Sequence, residues 1–475
     1  MKRSNILFAG LMATAIAGCG GGSGSGAVTS RDPVAPVTPA PTVSLSIDTP
    51  KVALGQSAKL TWSSTNATSC TASGSWSGAQ ATSGTATQTA AVGGQMTYTL
   101  TCTGAGGTGA QSVALAVPLP VLKSSYENKI AAAAALGPQT LPKEVTESNS
   151  VAFADFFQDG SYSMVTHSLE YDYTAATATK FGHIHFYKNA NGSWVDNTST
   201  LLANTVGCLH PRKTIVADFN NDGVPDVFFA CHGLDADPYP GEQQHMLLSQ
   251  SDGTYKNVTL PDVCYCHSAS AADINGDGYA DVLVTDNIIQ KKPYFLINNK
   301  DGTFTKDLTH FPAVINAYQS NGKPGVTGVN TGTAAIYTSE LIDFSKSGHY
   351  DAFLAGTAPD NHFGNWPPTI FKNDGTGIFS HSRVTVLPYM QQYQATLDIL
   401  LNDGSIYLNN VHLTYDAETY GFSNIVKIDS VALTSAQIYA NTGNFKNGHG
   451  WLNWIIPYQG NIVSQSAAYA VSVPQ

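Results

Sequence analysis

Two nine-residue stretches carry the residue types that a hard cation needs, at identical spacing. Asp218-Phe219-Asn220-Asn221-Asp222-Gly223-Val224-Pro225-Asp226 and Asp273-Ile274-Asn275-Gly276-Asp277-Gly278-Tyr279-Ala280-Asp281 both place oxygen side chains at positions 1, 3, 5 and 9 and glycine at position 6. Calcium takes about six to eight oxygen ligands, and a glycine lets the chain turn sharply around the ion. Three carboxylates within nine residues repel one another unless a cation lies between them. Asp218, Asn220, Asp222 and Asp226 are therefore candidate ligands of one Ca2+, and Asp273, Asn275, Asp277 and Asp281 of another. Asp343, Ser345, Ser347 and Asp351 keep the oxygen positions with less charge. A degenerate copy has Asp155, Asp159 and Gly160 in place but Phe157 and Ser163 at positions 3 and 9, and it is read as metal-free. Asp398 with Asn402-Asp403-Gly404 is one residue too long.

A second group of chemistry-bearing residues lies between 167 and 267: His167, Cys208-Leu209-His210, Cys231-His232 and Cys264-Tyr265-Cys266-His267. One reading is disulfides. Cys208 and Cys231 flank a hairpin and can pair across it. Cys264 and Cys266 are separated by one residue, which makes a mutual bridge strained and leaves a cross-blade pairing open. The other reading is a thiolate and imidazole site for copper or zinc. An oxidising compartment and the lack of any standard zinc spacing argue against it. If the cysteines are bridged, the histidines can still line a functional surface. His183 and His185 alternate along a strand and read as surface or rim residues.

The elements that must position these groups are β-strands. Each cation loop sits between two apolar runs. Downstream comes a turn such as Asn191-Gly192, Asp252-Gly253 or Asp301-Gly302, followed by an aromatic. Asp-Gly between alternating apolar residues is a hairpin signal. One unit thus reads strand, cation loop, strand, link, strand, turn, strand. Four antiparallel strands repeated about every 45–60 residues make a propeller blade. Val227-Phe228-Phe229 and Val282-Leu283-Val284 are continuous apolar runs, as for strands with both faces packed. Six units are visible, and the segment near 120–150 is expected to complete a seventh by pairing with the C-terminus. In this register His210 and Cys264/Cys266/His267 precede inner strands, whereas His167 and Cys231/His232 end the next ones. All belong to the rim opposite the cation loops.

The loops and turns over residues 148–386 resemble the FG-GAP/VCBS repeat family, whose propellers include those of integrin α subunits. The resemblance implies calcium in the loop between the two inner strands of a blade, with the carbonyls of Val224 and Tyr279 as additional ligands. Residues 43–118 alternate at Val43, Leu45 and Ile47, at Tyr98, Leu100 and Cys102, and at Val113, Leu115 and Val117. The run from Leu60 to Cys70 resembles bacterial immunoglobulin-like modules, with Cys70 and Cys102 bridged and Trp62 in the core. The expected fold is all-β: a small immunoglobulin-like β-sandwich over 43–118, then a six- or seven-bladed β-propeller over 120–475.

The first nineteen residues read as a signal: Lys2 and Arg3, a short apolar run, then Ile16-Ala17-Gly18-Cys19. This resembles a bacterial lipobox, implying lipidation of Cys19, membrane attachment through that lipid and, with Gly20 after it, the outer membrane. Residues 20–42 are a Gly/Ser then Pro-rich tether. A net charge of −11 argues against nucleic acid as partner.

No nucleophile elbow, phosphate-cradling loop or His-Glu-x-x-His motif is present. The expected role is a cell-envelope binding or adhesion module for a glycan or protein ligand, with Trp366, Trp451 and Trp454 as candidate sugar-stacking residues or core. The alternative is an enzyme acting on a polysaccharide or other extracellular polymer at the His/Cys face. A convergent His/Asp pocket open to solvent favours the enzyme; a broad shallow face favours binding.

Overall fold

The computed structural model describes residues 38–143, 145, 150–172, 174–287, 292–312, 336–356, 367–388, 394–413, 420–440, 454–465 and 470–475. Cys19, Trp366 and Trp451 lie outside them, as does most of the tether.

The chain is all-β with a propeller-like C-terminal part. Residues 42–117 form two antiparallel sheets that share one core. Thr42–Ile47, Ser57–Thr65 and Ser83–Thr89 make the first. The second orders Gly78–Gln80, Ser69–Gly74, Gly94–Gly104 and Gly107–Val117. The alternating residues named above face inward, and Trp62 packs edge-on against Trp76 at 5.4 Å. The Cys70–Cys102 bridge joins directly opposed residues of neighbouring strands, so it lies within one sheet and does not tie the two sheets together.

From residue 151 onward, six antiparallel sheets follow in sequence among the described residues, five of four strands and the last of three. Their inner strands are Val151–Ala154, Pro211–Ala217, Cys266–Ala272, Ile336–Ile342, Gln394–Asn402 and Trp454–Tyr458. Each touches the next. Trp454 of the sixth sheet meets Phe153 of the first, ring centroids 6.4 Å apart, and this contact closes the ring. Trp454 thus belongs to the core. The second strands Asp226–Cys231, Asp281–Asp286 and Asp351–Gly356 are buried at every residue, which is why their sequences run apolar without alternation.

The described residues of the segment near 120–150 add no strand. The segment forms the helix Ser125–Leu136, which contacts the inner strands of five sheets and reaches the remaining one, the fifth, through side chains. Ser124 caps it by accepting from the Glu127 amide at 3.1 Å. Its run of alanines suits the narrow space at the axis. Lys129 from the helix donates to Asp398 (2.7 Å) and Glu340 (3.2 Å), and Lys213 from the second sheet donates to Glu340 (2.8 Å). Glu340 is buried. Burial raises its pKa, but the two lysines outweigh burial and hold it below the usual glutamate range. Asp398 is therefore an axial ion-pair residue. Asn402-Asp403-Gly404 is a tight hairpin turn with Asp403 and Gly404 both at positive φ, and no room remains for a cation loop there.

Candidate functional site

The two rims of the ring carry different chemistry. On one rim, three Asp/Asn loops repeat a single hydrogen-bond scheme. The position 1 carboxylate accepts the amides of positions 5 and 6: Asp218 from Asp222 and Gly223, Asp273 from Asp277 and Gly278, Asp343 from Ser347 and Gly348, all at 2.7–3.1 Å. At position 3, Asn220 and Asn275 accept from Asp222 and Asp277, which bends the loop inward. Ser345 instead donates to Ser347 at 3.1 Å. The position 9 aspartates are buried. Asp226 accepts from Phe219 and Ser249, Asp281 from Ile274 and Asn298, and Asp351 from Asn373, so each ties its loop to the third strand. Desolvation pushes Asp226 and Asp281 up to about 7 and Asp351 up to about 6. The donor set is all oxygen and suits Ca2+ rather than a transition ion.

The degenerate loop of the first sheet keeps the position 1 scheme but has Ser163 in place of the position 9 aspartate. Asp155 accepts from Leu119, Asp159 and Gly160, while Ser163 donates to the Ala154 carbonyl. Lys188 places its own cation 2.8 Å from Asp159 and over the Phe157 ring.

The opposite rim assembles the histidines, but not all of them. His210, before the inner strand of the second sheet, and His232, at the end of the next strand, face each other with ring centroids 4.8 Å apart. The His232 amide donates to the His210 carbonyl at 2.8 Å, extending the ladder past its last residues. His267, from the third sheet, lies 4.6 Å from His232, and Tyr265 lies 3.6 Å from it. His210 and His232 are buried. Burial holds all three imidazoles well below their usual pKa, with the nearby Arg212 charge adding to it, so they are neutral at pH 7. Asn287 fixes one tautomer: its Nδ2 is oriented by paired bonds to Ile336 and donates to His267 Nδ1 at 3.0 Å, leaving the proton on Nε2.

His167 does not join this cluster. Its Nδ1 donates to the Ser168 carbonyl (2.8 Å) and its Nε2 accepts from the Cys208 amide (2.7 Å), which uses both ring nitrogens inside the sheet. Burial lowers its pKa to about 3. The cysteines offer no thiolates either. Cys208 is bridged to Cys231, and Cys264 to Cys266. The second bridge departs from the sequence expectation for a reason of placement. Tyr265 is where the chain passes from the outer strand of the second sheet to the inner strand of the third, and that bend sets the two Cα atoms 5.0 Å apart.

Three residues of this rim were not singled out by sequence. Glu242 accepts from the amides of Leu209, His210 and Gly233 at 2.8–3.0 Å, and so holds both histidine-bearing strand ends. Asp235 is exposed, accepts a bond from the Tyr265 hydroxyl, and lies with His210 and His232 so that one donor atom from each falls within 4.8 Å of the others. Tyr239 is exposed, with its ring edge-on to Tyr265 at 5.6 Å. The run Gly233-Leu234-Asp235-Ala236-Asp237-Pro238-Tyr239, an apolar strand followed by Gly, acidic residues and Pro-Tyr, marked a link and gave no hint of its partners.

No family model matches the chain, and no curated protein does. Among solved structures it is similar to a quinonprotein alcohol dehydrogenase-like protein from Bacteroides thetaiotaomicron. That alignment is 9% identical, covers 82% of this chain and 93% of that one, and has a TM-score of 0.26. It is also similar to a mannose phosphorylase from Leishmania mexicana in complex with phosphate ion, at 8% identity over 73% of this chain and 92% of that one, with a TM-score of 0.28. At those scores neither likeness bears on substrate or mechanism.

Proposed function

We propose that this chain is a cell-envelope binding module: a six-bladed propeller of FG-GAP/VCBS type, tethered to the outer membrane by lipid on Cys19 and spaced from it by an immunoglobulin-like domain. Calcium in the loops at Asp218–Asp226 and Asp273–Asp281, with the Val224 and Tyr279 carbonyls completing the cages, staples one rim. The third loop, at Asp343–Asp351, takes the same ion more weakly because it carries fewer carboxylates. The opposite rim is the working face, and its ligand is a glycan or protein. One observation carries this reading: exposed Tyr239 and Asp235 form an aromatic and acidic surface over a firmly held base of buried Tyr265, His210 and His232. An aromatic ring presented beside a carboxylate stacks on and hydrogen-bonds to a sugar or peptide.

The enzyme reading has its own support. Neutral imidazoles beside a Tyr265 phenol, whose pKa is raised by burial and by Asp235, form a base and an acid in one place. His210 and His232 are buried and present no base at the surface of this rim, so binding is the better account. A glycan and protein array probed with the mature protein tests the choice. Capture without turnover, lost in Tyr239→Ala and kept in Asp222→Ala, supports binding at this rim. Chain shortening of any arrayed glycan, abolished by Tyr265→Phe, supports the enzyme.

A further inference from the structure

We propose that His210, His232 and Asp235 form a binding site for one divalent transition-metal ion of the zinc or copper(II) class. The inference rests on reading this rim as the working face and names an ion that belongs to it. Two imidazole nitrogens and a carboxylate oxygen suit such ions and do not suit calcium or magnesium, which take oxygen. The three donor atoms already converge to within 4.8 Å of one another. Nδ1 of His232 is buried and has no hydrogen-bond partner among the described residues. A buried polar atom without a partner is costly, and an ion bound there removes that cost.

The surroundings are built as a metal site's are. Glu242 holds the backbone of His210 and Gly233, and the His232 amide is bonded to the His210 carbonyl, so both imidazoles leave a rigid base. The Tyr265 hydroxyl donates to Asp235 and orients its carboxylate, as partners of ligating groups do. His267 has its Nδ1 taken by Asn287 and is not among the converging donors. Zinc-to-nitrogen bonds of about 2.0–2.1 Å place tetrahedral ligands roughly 3.3 Å apart, so binding draws the donors together by at most about 1.5 Å. Asp235 supplies that movement. It is exposed, and it sits in the link between Gly233 and Gly241, whose backbones touch so closely that a Cβ on Gly233 would come within 2.6 Å of Gly241. The base of the link is pinned and its tip is at the surface, where an ion enters.

The test uses tag-free mature protein, stripped with EDTA and returned to millimolar Ca2+ so that the Asp/Asn loops are filled. Zn2+ and Cu2+ are titrated separately by calorimetry. The proposal predicts one saturable equivalent of at least one of the two ions. That uptake weakens at least tenfold in Asp235→Asn and in His232→Gln, and less in Tyr265→Phe. The Cu2+ form shows electron paramagnetic resonance couplings from two nitrogens, reduced to one in His232→Gln. If His232→Gln fails to fold, Asp235→Asn decides alone, because its carboxylate is exposed. No saturable uptake of either ion, or uptake that Asp235→Asn leaves unchanged, overturns the site. The titration contains no glycan or protein ligand. A failed titration together with array capture that Tyr239→Ala abolishes rejects the ion and leaves the working face standing.

Discussion

The two rims of this ring are built by opposite strategies. Each Asp/Asn loop is contained in nine consecutive residues, and its ligands are brought together by local turn geometry. The histidine rim draws His210 and His232 from two strand ends of one sheet, Asp235 from the link that follows, and Tyr265 and His267 from the next sheet. The first arrangement can be copied from blade to blade and is suited to stapling each inner hairpin. The second exists once among the described residues and depends on two sheets meeting correctly. On the proposed reading, repetition marks scaffold and single occurrence marks the binding surface.

Ways to break this contrast differ in expected size. Calcium removal comes first. At about a hundred times its dissociation constant a ligand stabilises by about 2.7 kcal/mol per site, so emptying both strong loops costs about 5 kcal/mol. Scanning calorimetry with EGTA is expected to lower the midpoint by several degrees. Asp222→Ala/Asp277→Ala is expected to lose most of that response, whereas Asp235→Asn keeps it in full. Next is the bridge behind the histidine rim. Cys208 and Cys231 enclose a separation of 23 residues, and removing both in Cys208→Ala/Cys231→Ala is expected to cost about 3 kcal/mol in denaturant unfolding. Loss of this bridge should leave the calcium response intact.

A smaller effect is a pH dependence. The folded pKa of His167 is about 3, below its usual value near 6.5, because burial disfavours the imidazolium. Between these values the unfolded chain binds more protons than the folded one. Stability is therefore complete above about pH 6.5 and is lost as pH falls toward 3, at up to about 1.4 kcal/mol per pH unit for this group. Urea melts from pH 7 to pH 5 are expected to show that slope, and His167→Asn should flatten it by up to one proton. The buried neighbours His210, His232 and His267 shift in the same direction and will keep a residual slope. The smallest effect is that of Asp235→Asn on stability. An exposed carboxylate away from the core should change unfolding by less than about 0.5 kcal/mol. Its consequences are confined to ion and ligand binding, which makes it the cleanest probe of the rim.

How much of this was legible in the chain follows from the same contrast. The loops, the hairpin turns and the apolar second strands are local patterns, and they placed each strand pair correctly from Val151 to Val386. The register derived from them also put His210, His232 and His267 on one rim and allowed the Cys208–Cys231 pairing. His167 defeated the pattern, since its sequence position matches that of His232 while its ring nitrogens are spent on Ser168 and Cys208. Asp235, Glu242 and Tyr239 lie in or beside an irregular link, where no periodicity reports on neighbours. The axial helix had a readable start, because Ser124 and Glu127 have capping spacing ahead of an alanine run. What hid it was the demand of ring closure for another strand, a global requirement that Trp454 against Phe153 meets without one.

The central claim is that binding belongs to the histidine rim and calcium to the loops. The most direct measurement is array capture by three calcium-loaded proteins: the wild type, Asp222→Ala/Asp277→Ala, and Tyr239→Ala/Asp235→Asn. The account predicts capture by the first two, with the loop variant measured well below its lowered midpoint, and none by the third. Capture that survives in the rim variant but disappears in a folded loop variant would contradict it.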